Sequence, residues 1–140
     1  MTGISTVNIN NKKSKQWLYD AVGGQDGIII VVNLFYDFVE STPEGRPVAK
    51  LHLRGHGIAH ARIELVNFLS GFLGGPSLFA EKWGHSNVRL IHEHVSINKE
   101  ARDSWMACME MAMTQLDYDD ELKQRLTENF LVIATLLINH

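Results

Sequence analysis

The side chains best suited to chemistry in this 140-residue chain are its histidines, seven in all, six of them between His52 and His94. Neutral imidazole binds transition metals and moves protons near neutral pH, so this crowding points first to a metal or cofactor. His52, His56 and His60 are spaced by four and would line one face of a continuous helix, as ligands in helical metal sites do. Gly55 and Gly57 weaken a helix there, and no glutamate takes a paired bridging position. A nucleophile is a poorer reading, because the one cysteine, Cys108, falls on an apolar stripe and no glycine-flanked serine accompanies the histidines. The third reading is a flat cofactor between helices. Haem asks for one axial imidazole, an apolar slot and a few polar groups over its open face. Phe35, Leu65, Phe68, Leu69, Phe72 and Met109 can line a slot, while Tyr36 and Trp105 carry polar tips on apolar bodies. The same composition also describes a packed helical core.

Positioning such groups falls to helices. Residues 28–42 set propensity against pattern: Ile28 to Val32 are all β-branched and favour a strand. Yet Ile28, Val31, Val32, Phe35, Phe38 and Val39 recur at three and four residues, which predicts a helix ending before Pro43. Residues 15–22 read as one or two helical turns ended by Gly23-Gly24, with Asp26 capping the next helix. Residues 43–57 are turn-rich with at most a short helical piece. Ile58, Ala61, Leu65, Phe68, Leu69 and Phe72 mark a helix stopped by Gly74-Gly75-Pro76. Residues 77–95 hold only short helices, and a loose stretch in mid-domain tends to be functional. Asn98 caps a helix with the stripe Ala101, Trp105, Cys108, Met109, Ala112 and Leu116, and an acidic turn opens a last helix through Leu137. With no strand alternation, the fold class is all-α.

Composition limits the partners. At 45% apolar and 21% charged residues, the chain suits a single domain over residues 15–140, behind a polar arm over residues 1–14. A formal net charge of −3 lacks the basic excess of a nucleic-acid binder. The longest apolar run is too short to span a membrane, and the polar start has no signal-peptide core. A lone cysteine precludes an internal disulfide and suits a reducing compartment, so the expected location is cytoplasmic.

Several stretches taken in order resemble the truncated haemoglobins, and within them the second group of bacterial and plant two-over-two globins. They are LYDAVGG at 18–24, FY at 35–36, FLSGFLGGP at 68–76, the set Gly84, His85, Arg89 and His92, and RDSWMACM at 102–109. The resemblance covers nearly the whole chain from Leu18. It implies a shortened globin, two pairs of antiparallel helices sandwiching haem b, which binds dioxygen, carbon monoxide or nitric oxide. Carried over residue by residue, it makes His92 the proximal iron ligand, with His94 as a solvent-facing rival. Trp105 matches the tryptophan beside the bound ligand, Tyr36 the distal tyrosine, and His52 the Tyr or His over the haem. Ala61 stands where longer globins carry a distal histidine, with Leu65 one turn on, and Phe35 and Phe68 belong to the pocket wall. Two departures concern the haem propionates, since Ile91 and Phe79 stand where the family often has arginine and tyrosine. Arg89, Lys82 and His85 are the cations placed to substitute. The resemblance also allows redox turnover, either nitric oxide dioxygenation or a peroxidase-like reaction, with a reductase as partner. A haem-free helical interaction protein is the alternative from another class.

Overall fold

A computed structural model describes residues 15–53 and 57–140 of the chain; the expected arm over residues 1–14 lies outside them, as does His56 of the four-spaced histidines. Among the described residues the chain is helical without strands. The elements are α1 (Lys15–Ala21), α2 (Gly24–Ser41), a 3-10 turn (Pro43–Gly45), α3 (Arg46–Leu51), α4 (Gly57–Phe72), α5 (Leu78–Trp83), α6 (Val88–His92), α7 (Lys99–Gln115) and α8 (Asp120–Leu136). No helix is long and apolar enough to cross a membrane.

The β-branched run forms the start of α2, and burial shows why the helical period prevails. Ile28 and Val32 are fully buried while Ile30 is 54% exposed. A strand would have put Ile28 and Ile30 on the same face. With Phe35 and Val39 the buried stripe continues down the helix, and α2 packs against both α4 and α7. A second long pair, α7 on α8, closes the other side around Cys108, Met109, Leu126 and Phe130.

Local signals account for most of the boundaries. Asn98 caps α7 by accepting a hydrogen bond from the Ala101 N–H at 2.9 Å, and Asp119 caps α8 through the Leu122 N–H at 2.8 Å. The α2 start departs from expectation. Gly23, at φ 101°, is its N-cap and Asp26 lies within the first turn, where its charge favours the helix dipole without capping it. The earlier start follows from close packing, because the backbone at Gly27 lies against the Val22 carbonyl and leaves no room for a Cβ. The expected turn-rich link is more helical than anticipated. Pro43 and Pro47 each sit at the opening of a short helix, where a missing N–H costs nothing.

The contact at Gly27 gives a direct check on the α1–α2 junction. Gly27→Ala should lower the unfolding free energy by about 3 kcal/mol, the upper range for overpacking. A loss below about 0.5 kcal/mol in urea titrations, the range of neutral surface changes, would mean that the junction yields freely.

Candidate functional site

His92 is the last residue of α6, and its Nδ1 lies 2.7 Å from the carbonyl oxygen of Val88, one turn back. With Nδ1 carrying the proton toward that carbonyl, Nε2 is the nitrogen left with a free lone pair. Burial pushes the imidazole below its ordinary 6.5, against the opposing Val88 bond, and the positive potentials of His94 and His52 push the same way. The neutral form, the one that binds metal, is therefore favoured. His94 itself is exposed, as expected of the rival.

His52, just past α3, repeats the geometry: its Nδ1 is 2.8 Å from the Val48 carbonyl oxygen. Its ring meets Tyr36 edge to face at 5.6 Å. Tyr36 and Phe35 are consecutive buried residues of α2, with ring centroids 4.8 Å apart, and Phe35 in turn lies 5.0 Å from Trp105 of α7. Three helical segments thus bring His52, Tyr36, Phe35 and Trp105 into one cluster. Neither the Tyr36 hydroxyl nor the Trp105 indole N–H donates to another described residue. Burial raises the Tyr36 phenol well above its ordinary 10.0, with Arg62 only partly offsetting it, so this group stays a proton donor at any working pH.

Ala61, Leu65 and Phe68 follow one another along α4 as half-buried side chains packed against the core. Beside Ala61 the chain carries a feature that sequence reasoning missed. Arg62 donates to the Asn33 carbonyl and side chain and to Asp37 and Glu40, at 2.9 to 3.0 Å, and lies 5.6 Å over the Tyr36 ring. It straps α4 to α2 across the tyrosine. The only sequence trace is the acidic pair Asp37 and Glu40 on one face of α2, which does not name its partner.

The three cations expected near propionates occupy different settings. Lys82 on α5 is exposed, pairs with Glu64 at 3.0 Å and lies over the Trp83 ring. Burial would raise the Glu64 carboxyl, but hydrogen bonds from Lys82, Trp83 and Asn67 win and hold it below the usual range. His85 is half-buried, accepts from the Asn87 N–H and faces Phe79. Arg89 is exposed on α6, at a concavity of about 290 Å³ on the side toward the C-terminal residues. Cys108 is buried in α7, and burial raises its thiol, as suits an inert core cysteine. Among the described residues no three His, Cys, Asp or Glu side chains are grouped to hold a bare metal ion.

The bacterial-like globin family model matches residues 17–139, nearly the whole chain. The chain belongs to the bacterial-like globin family. This globin is 29% identical over 121 residues to a group 2 truncated haemoglobin of Bacillus subtilis (strain 168), covering 86% of this chain and 87% of that one. Its fold matches the cold-adapted truncated haemoglobin of the Antarctic marine bacterium Pseudoalteromonas haloplanktis with a TM-score of 0.80 at 31% identity, over 88% of this chain and 98% of that one. The group II 2-on-2 haemoglobin of Agrobacterium tumefaciens gives the same TM-score at 26% identity, over 87% and 93% of the two chains. The globin is thus an all-α, two-over-two truncated haemoglobin, a haem protein that takes small gaseous ligands such as dioxygen. Its residues suit that cofactor: an imidazole with Nδ1 engaged and its neutral form favoured, and a cluster of apolar rings with two polar tips.

The Tyr36 environment predicts a pH effect. Folding raises its pKa, so the folded chain holds the phenol proton more tightly than the unfolded chain. The resulting stability is complete below pH 10 and is lost as pH rises beyond it. Tyr118, pushed up to about 12 by burial, acts in the same direction. Urea-unfolding midpoints taken from about pH 8 to pH 11 should fall less steeply at the alkaline end in Tyr36→Phe than in wild type. Equal slopes would mean that the phenol is not buried.

Proposed function

We propose that this globin holds haem b with His92 as the axial ligand and binds dioxygen, carbon monoxide or nitric oxide, with Trp105, Tyr36 and His52 shaping the distal face. The observation that carries this reading is the 2.7 Å contact between His92 Nδ1 and the Val88 carbonyl. It fixes the tautomer, orients the ring and makes Nε2 the better base. Bound haem would supply the ferrous iron at which a diatomic ligand coordinates reversibly.

The remaining work belongs to the chain. Val88 keeps the imidazole from rotating, and burial keeps it unprotonated. Trp105 offers an indole N–H and Tyr36 a hydroxyl that holds its proton, both donors suited to the partial negative charge on a polarised ligand. His52, with Nδ1 occupied by Val48, contributes its other nitrogen to the same cluster. Phe35, Ala61, Leu65 and Phe68 exclude water, which strengthens each donor. Ala61 brings no polar group of its own, so ligand stabilisation rests on the other helices. Arg89, His85 and Lys82 are the cations available to the propionates, with Lys82 having to share its charge with Glu64. A lone buried thiol suits a reducing cytoplasmic setting.

Two variants test the assignment. His92→Ala should lose most haem affinity, and retention of haem at wild-type affinity would remove His92 from the axial role. Trp105→Phe should keep haem but release dioxygen about tenfold faster, the effect of losing one hydrogen bond of about 1.4 kcal/mol in a dry site. An unchanged dissociation rate in stopped-flow experiments would take the indole out of the mechanism.

A further inference from the structure

Asn139, three residues beyond α8, joins the chain just after His92 through four hydrogen bonds. Its backbone N–H donates to the Ile97 carbonyl at 2.9 Å, and its Oδ1 accepts from the Ile97 N–H at 2.8 Å, so the two residues form a closed pair. Its Nδ2 donates to the Val95 carbonyl at 2.9 Å and, more weakly, to the His92 carbonyl at 3.4 Å. The His92 carbonyl also accepts from the Val95 N–H at 3.0 Å. One side chain therefore ties together the backbone of residues 92, 95 and 97. Only an amide provides an acceptor and two donors at once in so short a side chain.

The tie matters because, among the described residues, the other side-chain hold on the backbone of α6 from outside the helix is its cap, where the Asn87 side chain accepts from the Leu90 N–H at 3.1 Å. A helix of five residues has almost no stability of its own, and none of the five is fully buried, Val88, Ile91 and His92 being half-buried. The concavity between Arg89, Leu90 and Glu93 on one side and Leu137 and Asn139 on the other separates α6 from the end of α8. Ile97, by contrast, is only 7% exposed, so the clamp is anchored at a buried residue and reaches out to the end of the helix. A shift of residues 92–97 would carry the His92 ring with it, since the Val88 bond locks that ring to the backbone of α6.

We propose that Asn139 is a positioning residue for His92: its amide sets where the end of α6 stands, and hence the tension on the bond from the imidazole to haem iron. This rests on the reading of His92 as the axial ligand. Asn139→Asp keeps the acceptor for Ile97 but removes both Nδ2 donations and sets a negative charge against two carbonyl oxygens, whereas Asn139→Ala removes the whole side-chain clamp.

The test compares haem-loaded wild type with both variants, reading the iron–histidine stretching band of the ferrous proteins by resonance Raman spectroscopy and haem loss to excess apomyoglobin. Both variants should bind one haem per chain, show a shifted iron–histidine band, and lose haem about threefold faster, the scale of one or two partly exposed hydrogen bonds. A band unmoved in both variants overturns the proposal even if haem loss quickens, because that pattern marks a merely structural contact. A band that moves in Asn139→Ala but not in Asn139→Asp also overturns it, since the Nδ2 donations would then be irrelevant. Wild type that binds no haem would refute the axial reading itself, and the positioning role with it; wild type that binds haem beside unchanged variants refutes the positioning role alone.

Discussion

An imidazole is a useful axial ligand only when it is neutral, oriented and held at the right height, and His92, which we propose for that role, is carried on a helix of five residues. A single turn of helix is unstable in water because nucleation costs more than one hydrogen bond returns. Besides the Asn87 cap and partial burial, two further tethers hold it. Val88 holds the ring from one turn behind, and Asn139 holds the backbone from the other end of the sequence. Burial of the ring, with the nearby His94 and His52 acting the same way, then disfavours protonation of His92, so orientation and charge state follow from the same placement.

The cluster proposed for the distal face is built in the opposite manner, largely on long, deeply packed helices. Phe35 and Tyr36 belong to α2, which is packed on two sides by long helices, and Trp105 projects from α7, whose Cys108, Met109 and Ala112 are fully buried. Donors carried by such elements have little freedom to turn away, which favours a preorganised field over one assembled on ligand binding. The Arg62 strap adds to this by crossing from α4 to α2 over the tyrosine. Being partly exposed, its ion pairs with Asp37 and Glu40 contribute modestly to stability, so their value lies in geometry.

What was legible in the sequence follows from the range of the interactions. The long helices were readable because helical periodicity is local, and even the β-branched run of α2 yielded to its pattern of three and four. Caps at Asn98 and Asp119 reach only three residues ahead and left a signature in the acidic or amide residue itself. The start of α2 was misplaced at Asp26 because the close approach of Gly27 to Val22 is a packing fact with no side-chain signal. The site residues were legible only through motif order: spacing alone gave His52, His56 and His60 more prominence than His92. Arg62 and Asn139 were missed because their partners lie 22 to 47 residues away, where neither spacing nor residue type names the contact.

The most direct test of the account is the visible absorption of the purified chain titrated with haem, recorded ferric, reduced, and reduced under carbon monoxide. Saturation at one haem per chain is expected, with a reduced spectrum that shifts under carbon monoxide to that of a histidine-ligated haem carbonyl. No saturable haem binding, or a carbonyl spectrum like that of free haem, would contradict the account.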